Sequence, residues 1–321
     1  HIMANFFKTF FTGNSGESED DKAKAEKKNF ELFKYDGMRA ERIGQIDYAI
    51  KCYNEALAIQ DDFETLDYLS KAYIHQNNLE EAIKTLHKMI EVDPSVASTY
   101  LNLANLCYIQ EDYQNTIDYC IKAIELEENN LAAYLLLARG NRGQKDNINA
   151  IVNLTKAISI KDDFAQAYLL RAEVLKDMNE YSSALEDVEK VLELMPEEGA
   201  AYLLGGKVKE QNQLFEEASA DYSNVIELNP FNEQAYLYLG QLLITEKKYT
   251  EAIEHFDEAI ELKENFSQAY HERGRAKFLN NDKEGSLEDM KKAMELDPKA
   301  EENVNGEFNN FADMYSGAKI F

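Results

Sequence analysis

The sequence predicts an all-α protein built from about eight helical hairpins in tandem. Tyr stands at 100, 134, 168, 202, 236 and 270, a step of 34 residues each time, and Leu follows five of the six. All four prolines, Pro94, Pro196, Pro230 and Pro298, fall in one phase of that step. With 14 Gly and 4 Pro in 321 residues, helix breakers are scarce and connections must be short.

Residues 1–29 read as a tail and linker. His1-Ile2 looks like a cloning scar before a native start at Met3, and residues 4–11 are too short and wrongly flanked for a signal peptide. Phe6, Phe7, Phe10 and Phe11 form two aromatic pairs at i, i+4, one apolar strip if the segment is helical. Residues 14–28 are rich in Gly, Ser, Glu, Asp and Lys and run as a linker into a charged helix. The repeat region covers residues 30–298. Its units open at Phe30, Phe63, Ala97, Leu131, Ala165, Gly199, Glu233 and Ser267, the first being one residue short.

Within a unit, positions 4, 8 and 11 share one helical face, such as Tyr236, Gly240 and Leu243. Positions 20, 24 and 27 share another, such as Ala252, Phe256 and Ala259. Polar turns such as 246–248 and 280–282 separate the two faces, so each unit is a helical hairpin. Small residues at 8, 20 and 27 permit close backbone approach, and the large residues at 4 and 24 fill the space between. Pro at position 32 stops the second helix. Beyond it, Val304, Phe308, Phe311 and Tyr315 fall on one face. Residues 299–321 are therefore expected to form a C-terminal capping helix and tail, with Gly306 its weak point.

Charge and cysteine usage narrow the function. The chain has 60 acidic and 34 basic side chains, a net charge of -26. Such a balance argues against nucleic acid and against anionic membrane surfaces as partners. No apolar run approaches the ~18 residues of a membrane span. Three cysteines, Cys52, Cys107 and Cys120, make no disulfide framework, and a cytoplasmic location is expected. Cys107 and Cys120 occupy packing positions 11 and 24 of one unit and read as small core residues. The sequence holds no HExxH, CxxC or phosphate-binding glycine motif, and its acidic clusters read as solvated helix faces. The expectation is a protein without enzymatic activity, cofactor or metal.

The pattern of Tyr236, Leu239, Gly240, Ala252, Phe256 and Ala259, and of Tyr270, Gly274, Ala293 and Pro298, resembles the tetratricopeptide repeat (TPR) family. Departures are the absence of Trp, Thr116 and Ser286 where Ala is usual, and Cys120 in an aromatic slot. The resemblance implies a right-handed superhelical solenoid whose first helices line a concave groove through positions 5, 9 and 12. Those 24 positions carry a balance of +3 in a chain of -26. The resemblance thus assigns a partner-binding groove to Lys71, Leu101, Asn105, Tyr108, Leu135, Arg139, Arg142, Leu169, Glu173, Lys176, Leu203, Lys207, Leu237, Gln241, His271 and Arg275. The leucines at position 5 are equally well read as packing between adjacent first helices. The family's clamp for a C-terminal carboxylate is missing, because Leu136 and Leu170 occupy slots that it needs. The implied function is a scaffold or adaptor that holds a peptide segment of a partner protein. The alternative is an assembly component that self-associates through the Phe-rich tail.

Overall fold

Once per unit the backbone turns over into a left-handed conformation. Gly44 has φ 75°, and Asn77, Glu111, Lys145, Asn179, Gln213, Lys247 and Asn281 have φ between 57° and 68°. Each is position 15 of its unit, just past the end of the first helix. There the following amide reaches back to close the helix, as Asn78 N–H does to the Tyr73 carbonyl at 2.9 Å and Lys248 N–H to the Leu243 carbonyl at 2.8 Å. The turn is complete within a few residues and the second helix begins.

The computed structural model describes residues 18–299. The Phe6–Phe11 pairs and the expected capping helix lie outside these residues. The described residues hold sixteen helices, and the chain divides into two compact units at Ile160 and Lys161. The first unit contains α1 (Glu19–Arg42), α2 (Ile46–Ile59), α3 (Phe63–His75), α4 (Leu79–Val92), α5 (Ala97–Ile109), α6 (Tyr113–Leu126), α7 (Leu131–Gly143) and α8 (Asn147–Ile160). The second contains α9 (Ala165–Asp177), α10 (Tyr181–Leu194), α11 (Gly199–Gln211), α12 (Phe215–Leu228), α13 (Glu233–Thr245), α14 (Tyr249–Leu262), α15 (Ser267–Leu279) and α16 (Lys283–Leu296). The charged segment from Glu19 is helical and continuous with the first repeat helix, with Ser18 as its N-cap and three acids in its first turn. Within each unit, paired helices form hairpins, and the second helix of one hairpin packs on the first helix of the next. Among the described residues no helix is long and apolar enough to cross a membrane.

What holds a hairpin shut is a volume exchange between positions 8 and 24. Gly37, Gly206 and Gly240 face Tyr53, Tyr222 and Phe256, and a Cβ built on any of them would run into the ring. Ser70, Ala104, Ala138 and Ala172 instead stand in hairpins whose position 24 is Leu86, Cys120, Leu154 and Val188. All seven of those position-24 residues are buried, Tyr53, Tyr222 and Phe256 at 0% exposure. Interiors pack to near-crystalline density, so one methyl on the first helix trades against ring volume on the second. The position-20 residues, from Ala49 to Ser286, are likewise buried.

Several hairpins carry a buried polar tie as well. Position 23 is Asp187, Asp221 or Asp289 in three hairpins of the second unit. Arg171 clamps Asp187 through two bonds at 2.8 and 2.7 Å. Lys209 reaches Asp221 at 2.8 Å. Asp289, with 6% of its side chain exposed, holds both Arg273 at 2.6 Å and Lys277 at 2.9 Å. In the first unit Asn153 donates to Asn141 at 2.9 Å from the equivalent position. These groups are satisfied in pairs, as burial of charge requires.

Candidate protein-binding face

From the second hairpin on, each first helix buries positions 3, 8 and 10, while positions 5, 9 and 12 lie on another side of it, where Leu135, Leu237 and Ile244 are nonetheless buried. In the first unit this side begins at Lys34, a buried position-5 residue that bonds Asp62 at 3.0 Å and Glu64 at 2.6 Å. The hydrogen bonds from Lys34 to the two carboxylates outweigh its burial and raise its pKa. Lys71 is exposed and paired with Asp67 at 2.5 Å. Leu101 is half-buried and its carbonyl accepts from the exposed Asn105 side chain at 3.1 Å. Tyr108 is half-buried, its ring 5.8 Å from that of Tyr113. Leu135 is buried, Arg142 half-buried. Arg139 is exposed, and its own helix α7 carries no acid.

In the second unit Leu169 and Leu203 are half-buried, whereas Leu237 is fully buried in a core cluster shared by α13, α14 and α15. Leu237 therefore packs rather than faces outward. Glu173 is half-buried, and Lys176 lies 3.3 Å from Asp177. Lys207 sits 3.6 Å above the Tyr238 ring centroid and 3.1 Å from Glu210. The same Glu210 oxygen accepts from Tyr222 Oη at 2.7 Å, and the Tyr222 and Tyr238 rings lie 5.5 Å apart. Burial, reinforced by Glu210, holds the Tyr222 hydroxyl protonated far above its usual range. Further along, His271 lies 3.7 Å and Arg275 3.4 Å from the buried Glu272. Burial alone would raise the Glu272 pKa, but the hydrogen bond from His271 and the charge of Arg275 lower it. Gln241, half-buried, also bonds Glu272.

Two residues on this face, Tyr238 and Glu272, were not singled out by sequence reasoning. Both are position 6 of their unit, and each meets position 9 of the preceding hairpin, Lys207 and Gln241. The offset is 31 residues in both cases, so a search for complementary types at i and i+31 would find the pairing. The same triangle of groups recurs in the first unit, where Tyr53 donates to Glu41 at 2.7 Å and stacks on Tyr68 at 5.8 Å.

The face sets fixed polar groups such as Lys207 and Glu210 beside half-buried leucines. Cys107 and Cys120 are buried, and burial, with Cys107 nearby, pushes the Cys120 thiol up to about 12. Among the described residues no group of three or more His, Cys, Asp or Glu is placed to hold a metal ion.

Comparison with known proteins agrees with this architecture. Two family models, both described as tetratricopeptide repeat, match residues 203–270 and residues 69–96, 97–130, 165–198 and 267–300. None of the curated proteins matches the sequence. Among solved structures, a tetratricopeptide repeat protein from Parabacteroides merdae ATCC 43184 is similar over 77% of this chain and 96% of its own, with 18% identity and a TM-score of 0.64. MamA from Desulfovibrio magneticus RS-1 is similar over 53% of this chain and 96% of its own, at 20% identity and a TM-score of 0.48. YrrB, a TPR protein described as having an unusual peptide-binding site, is similar over 61% of this chain and 97% of its own, at 22% identity and a TM-score of 0.46. The family matches cover more than half of the sequence, and the chain belongs to the tetratricopeptide repeat family.

Proposed function

We propose that this protein is a non-enzymatic scaffold that holds an extended or helical segment of a partner protein against the outward face of its first helices. Membership of a protein-interaction repeat family supports the general reading. The observation that carries the finer one is the composition of that face. In the first unit the half-buried Leu101 shares that face with the exposed Arg139, and in the second the half-buried Leu169 and Leu203 share it with the Lys207–Tyr238 pair. Half-buried leucines give a ligand apolar anchors, and held cations and carboxylates fix its register. A ligand segment with an acidic residue suits the exposed cation of Arg139.

The test is selection of peptides from a displayed random library on the whole protein. The reading requires that selected peptides bind wild type and lose at least about tenfold, roughly 1.4 kcal/mol, on Leu169→Asp with Leu203→Asp while helicity is retained. Binding that survives both substitutions places the ligand elsewhere.

A further inference from the structure

Positions 18 and 22 of the unit are exposed in all eight second helices of the described residues. In seven of these helices they carry polar or charged side chains, apart from Ala220. Two of the pairs bond to each other, Lys84 to Glu80 at 2.9 Å and Gln114 to Asp118 at 3.0 Å. In α8 the same positions are Ile148 and Val152, 69% and 57% exposed. They stand at i, i+4 and so lie side by side on the helix.

The charges around them depart from the repeat in the same helix. Position 26 is a lysine in several second helices, and an acid three residues on holds it. Lys122 meets Glu125 at 2.6 Å, Lys190 meets Glu193 at 3.1 Å and Lys292 meets Glu295 at 3.7 Å. In α8 that lysine is the exposed Lys156, and the residue three on is Ser159. α8 has no Asp or Glu, whereas each of the other second helices has at least two. Lys145 is exposed in the turn just ahead of α8. The acid beside it, Asp146, is engaged at the helix start, where it accepts from Asn149 N–H at 3.2 Å and from the Asn149 side-chain amide at 2.7 Å. A chain of net charge -26 thus exposes one helix strip of two aliphatics between two lysines.

We propose that this strip of α8 is a second docking surface, separate from the first-helix face, and that it takes a helix of a partner protein whose two apolar residues at i, i+4 lie between carboxylates. Charge selects the partner: Lys145 and Lys156 flank the apolar pair, and no acid on α8 opposes an incoming carboxylate. Backbone chemistry selects its form. A helix surface offers no sheet edge to bond an extended chain, whereas a helical partner satisfies its own backbone and needs only side-chain contact. Ile148 and Val152 are ~6 Å apart along the axis, the step of an i, i+4 pair on such a partner. A second copy of this chain fits less well. Two copies joined through α8 would set Lys145 and Lys156 of one against the same lysines of the other, with -26 facing -26 behind them. Peptides that require Leu169 and Leu203 are ligands of the other face and not of this one.

The probe is a labelled helical peptide with Leu at i and i+4 and Glu at i-4 and i+8, beside a comparison peptide with Lys in place of both Glu. Each is titrated with the whole protein at about 0.15 M salt, where charges beyond about 8 Å are screened and local pairing dominates, and read by fluorescence anisotropy. The Glu peptide should bind at least about tenfold tighter than the Lys peptide. Lys145→Glu with Lys156→Glu should reverse that preference, and Ile148→Ser with Val152→Ser should weaken the Glu peptide at least about tenfold. The variants suit the fold: Glu111 holds the place of Lys145 in the third hairpin, and Ser182 that of Ile148 in the fifth. A Glu peptide that binds no tighter than the Lys peptide, or that ignores the serine substitutions, would overturn the proposal. So would a solution mass that doubles without peptide in wild type and not in the serine variant, because a second copy would then cover the strip.

Discussion

Gly240→Ala separates two physical expectations of opposite sign. An isolated glycine in a helix interior costs about 0.8–1.0 kcal/mol relative to alanine, so replacing it should stabilise α13 by that amount. At Gly240, however, the added methyl would stand 2.6 Å from Phe256 Cε1 and 2.8 Å from Cζ. Phe256 is fully buried and clustered with Ala252, Ala259 and Ala269, so the ring cannot swing outward. Overpacking of this kind costs about 1–3 kcal/mol and in the tighter cases exceeds the propensity gain. We therefore expect a net loss of about 1–2 kcal/mol at α13 and α14, read by amide exchange because unfolding along a repeat array is not two-state. Adding Phe256→Leu recreates the Ala138 and Leu154 pairing of the fourth hairpin and should recover about 1 kcal/mol relative to additivity. Gly199→Ala is the control, because a Cβ there meets nothing within 4 Å. If Gly240→Ala slowed exchange as an unhindered Gly→Ala change should, the exchange of volume between positions 8 and 24 would be refuted.

Three further outcomes follow from the same structure. Asp289→Ala leaves Arg273 with Asp257 alone and takes from Lys277 its carboxylate, and should destabilise the last hairpin by about 1–3 kcal/mol, visible as faster exchange across α15 and α16. Lys247→Gly relieves a left-handed backbone that costs an L-residue roughly 1–2 kcal/mol but adds unfolded-state entropy worth about 0.5–1. The net expectation is a small rise in the urea midpoint. His255 is held below the ordinary histidine pKa, first by burial, against the upward pull of Glu254, Glu251 and Glu258. The unfolded state then binds more protons between the folded value and about 6.5, so stability is full above that window and falls as pH drops through it. His255→Gln should flatten the urea midpoint between pH 7.5 and 5.

Much of the fold was written in the sequence because a 34-residue repeat makes each unit a control for the others. The hairpin boundaries, the small residues at positions 8, 20 and 27, and the stop at position 32 are legible for that reason. The left-handed residue at position 15 is less so, because Glu111, Lys145, Gln213 and Lys247 carry no local preference for it. The helical start at Glu19 was obscured by composition: the acid-rich opening that reads as linker also caps a helix N-terminus well. The face of the first helices was only partly legible. Leu237 and Leu203 share a position in the repeat, yet one is buried at 0% and the other half-buried, because what packs beside each differs from hairpin to hairpin. The i, i+3 pair of Lys207 with Glu210 is legible along α11, whereas the seat of Lys207 over the Tyr238 ring is created only by contact across hairpins.

Methyl resonances test the central claim, ligand binding on the first-helix face, most directly. Leu169 and Leu203 lie on that face in the second unit and Leu101 in the first, whereas Ile148 and Val152 are 69% and 57% exposed on the second helix α8. A selected peptide titrated into methyl-labelled protein should shift the Leu101, Leu169 or Leu203 signals with a saturating curve and leave Ile148 and Val152 unmoved. Shifts confined to Ile148 and Val152 would contradict the account, since the ligand would then sit on the second helices.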